Sequence, residues 1–162
     1  MKKSNNVGHS IKLSKETIDN LKIGIVVSRF NNDITEEMSS LCLDRLFEIG
    51  IKQTNIEIIN VPGSFEIPYA VKSLIHSKKF DSIIALGALI KGETIHFETI
   101  ANSVSISLIN ISTETLTPVI FGILTTENKK QAIERIKQAI EYAEIAVEMG
   151  SKKINWLQIN QF

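Results

Sequence analysis

Four short apolar runs recur along the chain, at residues 22–28, 55–61, 82–86 and 118–124. Isoleucine and valine dominate them, as in 22–28 (KIGIVVS), and few polar residues interrupt them. Near-continuous apolar runs of this length are typical of strands that are buried on both faces of a parallel sheet. The pattern therefore predicts four parallel strands.

Apolar positions with a helical period follow each run. They predict helices at 35–49, 65–77, 94–110 and 126–149. The helix at 94–110 is the least clear, because its β-branched residues also suit a strand, whereas the spacing of Phe97, Val104 and Leu108 favours a helix. The apolar face of the last segment is continuous, so we expect residues 127–149 to form one unbroken helix of ~35 Å.

The alternation of strands and helices predicts the fold class. It indicates an α/β protein with three α/β/α layers and a four-stranded parallel sheet, as in flavodoxin-like folds. The α/β domain spans residues 22–149. Residues 1–21 form an N-terminal arm that could pair with a neighbouring subunit, and residues 150–162, with Trp156 and Phe162, form a C-terminal tail.

Composition and charge narrow the range of partners. The 162 residues contain 18 Lys and Arg and 18 Asp and Glu, so the formal net charge is zero. Binding to nucleic acid or to a membrane surface needs a basic face. No apolar run approaches the ~18 residues of a membrane span, and residues 1–14 lack the apolar stretch of a signal peptide. We therefore expect a cytoplasmic protein with no nucleic-acid or membrane partner.

Cys42 is the single cysteine. It cannot form an internal disulfide and has no metal-ligand spacing around it, so we expect an inert thiol in the core. No cluster of His, Cys or carboxylate residues has the spacing of a metal site, and no order of residues indicates a hydrolase triad. The sequence therefore predicts no metal site.

Unusual residues gather where the predicted strands end, which is where ligands bind in open α/β sheets. His96 stands just inside a helix start, after a loop bounded by glycines. The helix dipole there disfavours the charged imidazole, so His96 would be neutral and able to accept a proton. Position alone also allows a capping or packing histidine.

Three other features each have two interpretations. Glu66 lies in apolar company and could accept hydrogen bonds from a polyol, or could be a carboxylate favoured by a helix start. Phe30 follows a strand and could stack on a flat heterocycle, or belong to the core. The turn at 92–94 could bind phosphate through backbone N–H groups, or be an ordinary helix cap. Arg135, taken by itself, is a solvated helix residue.

Five segments, in order, resemble those of the 6,7-dimethyl-8-ribityllumazine synthase family. They are 29–31 (RFN), 61–68 (VPGSFEIP), 86–97 (LGALIKGETIHF), 118–126 (PVIFGILTT) and 131–135 (QAIER). One tripeptide would be a weak signal, but five segments in register are specific. The resemblance implies a transferase that condenses 5-amino-6-(D-ribitylamino)uracil with 3,4-dihydroxy-2-butanone 4-phosphate. The products are 6,7-dimethyl-8-ribityllumazine, phosphate and water, and this is the penultimate step of riboflavin synthesis. The resemblance also implies that the reaction needs no metal and no cofactor.

The resemblance also implies roles for individual residues. His96 would be the acid/base, Phe30 would stack on the pyrimidine, Glu66 would accept ribityl hydroxyls, and Phe121 would cover the ring from a neighbouring subunit. The residues implied for the pyrimidine substrate are Phe30, Ser64, Phe65, Glu66, Ala88, Leu89, Ile90 and Phe121. Those implied for the butanone phosphate are Glu93, Thr94 and Arg135.

The family assembles as pentamers, so the resemblance implies a homopentamer with sites between subunits and riboflavin synthase as a pathway partner. The chain departs from the family after Arg135, where a loop containing Gly and Lys is missing. We therefore expect an isolated pentamer instead of an icosahedral capsid. Two other functions remain open: a non-catalytic module that binds flavin or lumazine, and a shell protein that has lost activity.

Overall fold

The four predicted strands form one parallel sheet in a computed structural model, which describes residues 12–93 and 95–159, without the side chains of 157–159. The strands are β1 (Ile23–Ser28), β2 (Ile56–Val61), β3 (Ser82–Ile90) and β4 (Val119–Thr126). They lie in the order β2-β1-β3-β4, and every pair is parallel. The predicted α/β class and its four-stranded parallel sheet are confirmed.

Helices cover both faces of this sheet. The described part of the chain contains α1 (Lys15–Asn20), α2 (Asn32–Ile49), α3 (Ile67–Ser77), α4 (His96–Thr115), α5 (Lys129–Arg135) and α6 (Gln138–Ile159). Helices α2 and α6 pack together on one face, and α3 and α4 pack on the other. The predicted three-layer arrangement is therefore confirmed.

Strand β1 explains why the apolar runs are continuous. All six of its residues are buried. Ile23, Ile25 and Val27 belong to the core cluster beneath α2 and α6, whereas Val26 belongs to the cluster beneath α3 and α4. Because successive side chains of a strand point to opposite faces, a strand covered on both faces needs apolar residues at every position.

The expected unbroken helix over 127–149 is wrong. Helix α5 ends at Arg135 and α6 begins at Gln138. In the turn between them the N–H groups of Ile136 and Ala139 donate to carbonyls three residues back, at 3.3 and 3.0 Å, which is the tighter spacing of a 3₁₀ turn. Both residues remain buried. The apolar pattern therefore runs through the turn, and periodicity does not reveal the break.

The predicted end of the last helix at Met149 is also wrong, because α6 continues to Ile159 through the first residues of the tail. Lys153 anchors this extension. Its Nζ donates to the carbonyl of Phe80 at 2.7 Å and to Oγ1 of Thr117 at 3.0 Å. Phe80 and Thr117 precede β3 and β4, so the extension is tied to the amino ends of these strands. Phe162 lies outside the described residues.

The predicted arm is described only in part. Residues 1–11, and any pairing they make with a neighbour, lie outside the described residues. The rest includes α1, whose first turn is capped by Ser14: its Oγ accepts a hydrogen bond from the N–H of Thr17 at 3.1 Å. Across the described residues, every helix is too short or too polar to cross a bilayer.

Candidate active site

A crevice opens between the carboxyl ends of β1 and β3. The chain leaves β1 for β2 on one side of the sheet and adds β3 on the other side. In an open α/β sheet, ligands bind at such a reversal of strand order. Strands β1 and β3 pair only as far as Val27 and Leu86, whereas β3 continues beside β4 as far as Ile90 and Thr126. Beyond Leu86, β3 therefore pairs with β4 on one side, and on the side of β1 it has no strand beside it among the described residues.

A cavity of about 610 Å³ lies at this crevice, and we name it the sheet-edge cavity. Its lining comes from the segments after β1 and β2, the end of β3 and the start of α4: Phe30, Asn31, Pro62, Gly63, Ser64, Phe65, Glu66, Ala88, Leu89, Ile90, Gly92, His96, Phe97, Thr99 and Ile100. Every residue predicted for the pyrimidine except Phe121 is in this set, and so is His96. The fold thus brings distant predicted segments to one place.

Phe30 stands in the turn between β1 and α2. This turn is bonded to the segment after β2, because the N–H groups of Arg29 and Phe30 donate to the carbonyls of Val61 and Pro62 at 2.8 and 3.0 Å. The Phe30 residue is 70% exposed. The alternative interpretation, a core phenylalanine, is therefore wrong, and an aromatic face is available at the cavity for stacking.

The segment after β2 forms a short 3₁₀ helix, Ser64–Glu66. Glu66 Oε2 accepts a hydrogen bond from the N–H of Gly63 at 2.9 Å, so the carboxylate supports the turn from which it projects. This bond agrees with a carboxylate at a helix start, and it leaves the other oxygen for a ligand. Phe65 is 61% exposed, whereas Ser64 is buried.

His96 is the first residue of α4, is exposed, and lines the sheet-edge cavity. Gly92 and Glu93 lie in the turn that precedes it, and Glu93 is exposed. Thr94, predicted for the phosphate, lies outside the described residues. The N-terminus of α4 thus lies beside the cavity, with backbone N–H groups that have no partner within the helix.

Charged side chains connect the segments around this edge. Lys91 Nζ lies 3.3 Å from a carboxylate oxygen of Glu127 and 3.8 Å from one of Glu98, which links the end of β3 to the loop after β4 and to α4. Lys129 beside Asp33 holds the pKa of that carboxyl below its ordinary value. These pairs are exposed to solvent, so they orient the segments more than they stabilise the fold.

Phe121 and Arg135 lie apart from the sheet-edge cavity. Phe121, in β4, is 41% exposed and lines a second cavity of about 580 Å³ with Tyr142 and residues of α4 and α6. Burial raises the pKa of Tyr142, and the charge of nearby Arg135 opposes that rise. A single chain therefore does not bring these two residues to the other predicted site residues.

Asn31, which lines the cavity, and Gly87, which precedes the lining residue Ala88, had no role in the sequence analysis. Asn31 has a left-handed backbone, with φ 58° and ψ 47°, and its side-chain Nδ2 donates to the carbonyl of Ala88 at 2.8 Å. Gly87 allows Ser64 to approach β3 closely. The sequence signals for Asn31 are its place in the family-like segment 29–31 (RFN) and the tolerance of asparagine for the left-handed region. For metals, no group of three or more potential ligands exists among the described residues.

Comparison with known proteins identifies relatives along most of the chain. The family model described as 6,7-dimethyl-8-ribityllumazine synthase matches residues 20–153. Proteins of that name from Prochlorococcus marinus (strain AS9601) and Kosmotoga olearia are each 44% identical, over 83% of this chain and 90% of theirs. The protein of that name from Neisseria meningitidis serogroup C is 43% identical, over 88% of this chain and 90% of its own.

Proposed function

The chain belongs to the 6,7-dimethyl-8-ribityllumazine synthase family, and on this basis we propose that the sheet-edge cavity is its active site, with His96 as the group that transfers protons. The chain is an enzyme, a transferase of riboflavin synthesis. It condenses 5-amino-6-(D-ribitylamino)uracil with 3,4-dihydroxy-2-butanone 4-phosphate to 6,7-dimethyl-8-ribityllumazine, phosphate and water. A non-catalytic flavin-binding module and an inactive shell protein are not favoured.

One observation carries the proposal for the site. Phe30, Glu66, Ala88 and His96 come from four separate segments and line the same cavity. That cavity lies at the reversal of strand order, where this type of sheet binds ligands. A flat heterocycle with a polyol chain needs an aromatic face, hydrogen-bonding groups at a ring edge and an acceptor for hydroxyls, and this lining offers each of them.

The pyrimidine would lie between Phe30 and the end of β3. Beyond Leu86, β3 has no neighbour on the side of β1 among the described residues. Because both backbone groups of a residue in a parallel strand face the same neighbour and successive residues alternate, Ala88 and Ile90 would face that side. The carbonyl of Ala88 already accepts a hydrogen bond from Asn31, so the N–H of Ala88 and the N–H and C=O groups of Ile90 would be available there. The heterocycle edge, with its own N–H and C=O groups, is a suitable partner. Leu89, between them, lines the same cavity.

The ribityl chain would lie along the Ser64–Glu66 segment. One oxygen of Glu66 is occupied by Gly63, which fixes the carboxylate and leaves the other oxygen to accept hydroxyl protons. Hydrogen bonds to a charged group contribute about 1.5–3 kcal/mol each. Ser64 can add a hydroxyl, and Phe65 can cover the apolar side of the chain.

His96 would move the protons that the condensation requires. The amine attacks the ketone and water leaves, phosphate is then eliminated, and the second amine closes the ring. Each step transfers a proton, and histidine is the side chain that exchanges one most readily near neutral pH. Much of the rate enhancement would come from holding the two substrates together, since positioning alone can supply a large part of a bimolecular barrier.

The phosphate would bind at the turn before α4, where Glu93 and Thr94 precede His96. The N-terminus of a long helix attracts an anion through its free N–H groups and its dipole. The carboxylate of Glu93 would repel phosphate, so its contribution would be through the backbone. Arg135 would supply the positive charge from another subunit, because it lies away from this turn within the chain.

A homopentamer with sites between subunits is the assembly that we propose. Large apolar side chains are exposed on α4, directly after it and on β4: Ile106, Ile109, Leu116 and Phe121. A second copy placed against this surface would bring Phe121 and Arg135 toward the sheet-edge cavity of its neighbour. The short connection after Arg135 favours an isolated pentamer over a capsid. We also propose a cytoplasmic location and riboflavin synthase as the consumer of the product.

Activity of the His96→Ala variant tests the catalytic proposal. Wild-type protein mixed with both substrates should produce lumazine absorbance and release phosphate. In His96→Ala we expect kcat to fall about 10²-fold or more without being abolished, because general acid–base catalysis is lost while positioning remains. His76→Ala, which removes an exposed histidine of α3, is the matched control. Full turnover by His96→Ala would disprove the assigned role.

Mixed oligomers test the site between subunits. We expect Arg135→Ala and His96→Ala to be impaired as separate proteins. When the two variants are co-expressed, some interfaces combine an intact His96 from one subunit with an intact Arg135 from its neighbour, and part of the activity should return. Mass measurement by light scattering gives the oligomeric state. Absence of any recovery in verified mixed oligomers would contradict a shared site.

A further inference from the structure

Asn31 has an unusual backbone at the edge of the sheet-edge cavity. Its φ of 58° is positive, a property that it shares only with Leu116 among the described residues other than glycine. Such a conformation is uncommon for residues with a side chain, and asparagine tolerates it best. The carbonyl of Asn31 accepts hydrogen bonds from Ile34 and Thr35 at 3.0 and 3.1 Å. The left-handed residue therefore turns the chain from β1 into α2 directly after Phe30.

The side chain of Asn31 makes a contact that joins two parts of the cavity. Its Nδ2 donates to the carbonyl of Ala88 at 2.8 Å, across 57 residues of sequence. A carbonyl can only accept, so this partner determines which end of the amide faces β3. The bond lies just past the end of the β1–β3 pairing. It thus continues the attachment of the two strands at the point where their backbone pairing stops.

The two residues connected in this way lie next to the groups that would contact the heterocycle. Phe30 precedes Asn31, and Leu89 and Ile90 follow Ala88. The gap between the aromatic face and the end of β3 is therefore held by one side-chain hydrogen bond. Without it, the carbonyl of Ala88 would lack its protein partner and would recruit water into the gap.

We propose that Asn31 is a positioning residue for the pyrimidine substrate: its amide holds Phe30 and the backbone of Ala88–Ile90 at the separation that a planar heterocycle with an N–H and C=O edge requires. The inference rests on the proposed function of the cavity. It predicts a selective effect on one of two substrates, because the Asn31 amide bonds to Ala88 and makes no hydrogen bond to Gly92 or Glu93, the described residues of the phosphate turn before α4.

The Asn31→Gly variant tests this proposal without adding backbone strain. Glycine adopts positive φ readily, so the turn is retained while the amide is removed. Loss of one hydrogen bond corresponds to about a tenfold effect. We therefore expect KM for the pyrimidine substrate to rise about tenfold, with KM for the butanone phosphate and the melting temperature nearly unchanged. Asn31→Asp, which places a carboxylate oxygen against the carbonyl of Ala88, should raise the same KM further.

Asn55→Ala is the matched control. Asn55 Nδ2 also donates to a backbone carbonyl, that of Asp19 at 2.9 Å, but it lies just before the amino end of β2. Neither KM should change in this variant. Equal increases in both KM values for Asn31→Gly, or a lower melting temperature with an unchanged KM ratio, would assign Asn31 a structural role and overturn the proposal.

Direct binding separates this inference from the proposed function. Titration with the pyrimidine substrate alone gives a dissociation constant without turnover. If the wild type failed to catalyse the condensation, the proposed function would fail, but a dissociation constant weakened about tenfold in Asn31→Gly would still support the role of Asn31. An unchanged dissociation constant in that variant would refute it whether or not the wild type is active.

Discussion

Ser64 lies directly against Gly87: a Cβ built on Gly87 would come within 2.6 Å of Ser64 Oγ. Glycine allows this approach because it has no side chain. The contact places the segment after β2 beside the end of β3. Both segments contribute to the sheet-edge cavity, so the shape of the cavity depends on the absence of a side chain at Gly87.

Gly87→Ala should therefore disturb the cavity. The new methyl group would displace Ser64 and press on Ile123, whose atoms lie 3.3 and 3.4 Å from the same position. We expect a loss of about 1–3 kcal/mol in the free energy of unfolding and a higher KM for the pyrimidine substrate. Urea denaturation and steady-state kinetics measure these effects. Gly92→Ala is the stability control, because no atom of the described residues lies within 4 Å of a Cβ built there.

Gly122→Ala should be more damaging than any other glycine substitution in the sheet. A Cβ there would lie 2.7 Å from a side-chain atom of Leu86 and 2.8 Å from the backbone oxygen of Ala85. Backbone in a central strand cannot move aside, so we expect a loss of about 3 kcal/mol or failure to fold. Gly24→Ala, whose nearest contact is a side-chain atom at 3.3 Å, should cost much less. Similar stabilities of the two variants at equal protein concentration would contradict this prediction.

The thiol of Cys42 should be unreactive in the folded protein. The structure confirms the predicted core position: Cys42 is buried, and its Sγ donates to the carbonyl of Ala139 at 3.0 Å. Burial raises the pKa of the thiol to about 12, and the thiolate is the reactive form. A thiol reagent at pH 8 should react only as the protein unfolds in urea. Rapid labelling under native conditions would show that α2 and α6 separate locally.

Lys153 should make stability depend on alkaline pH. Burial lowers its pKa below the ordinary 10.5, and Asp81 opposes this shift. The unfolded chain therefore binds the proton more tightly, so this residue makes the free energy of unfolding rise with pH between the lowered pKa and 10.5. Subtracting the Lys153→Met values from those of the wild type should give a difference that increases across this range. Lys130→Met removes an exposed charge and is the control. A difference that decreases with pH would contradict the prediction.

Much of the fold could be predicted because burial on two faces leaves a direct trace in the sequence. In strand β1 the trace is a nearly continuous apolar run, and in helices α2 and α6 it is an apolar residue at each turn of the buried face. The end of β3 does not: the strand was predicted to stop at Leu86, where Gly87 suggests a loop, but it reaches Ile90. Gly87 belongs to the strand because it pairs with Ile123 of β4, and it lacks a side chain where Ser64, from a segment more than twenty residues earlier, packs on it.

The candidate site was predictable to a similar extent and for a related reason. The carboxyl ends of parallel strands share one edge, so Phe30, Glu66 and His96 could be expected close together, and they line one cavity. For Phe121, the family resemblance had implied a contribution from a neighbouring subunit. The separate position of Arg135 could not be derived, because it depends on where α5 lies in space. The roles of all these residues remain predictions for the experiments above.

By itself, the sequence determined the α/β class, the family and the segments from which the site is built, because buried faces and family motifs are local patterns of residue type. Only the tertiary structure decided the left-handed turn at Asn31, its bond to Ala88, the break between α5 and α6, and the separation of Arg135 from the sheet-edge cavity. Each of these features depends on a partner distant in sequence or on backbone geometry. A distant partner and a change of backbone geometry both leave the local pattern of apolar and polar residues unchanged.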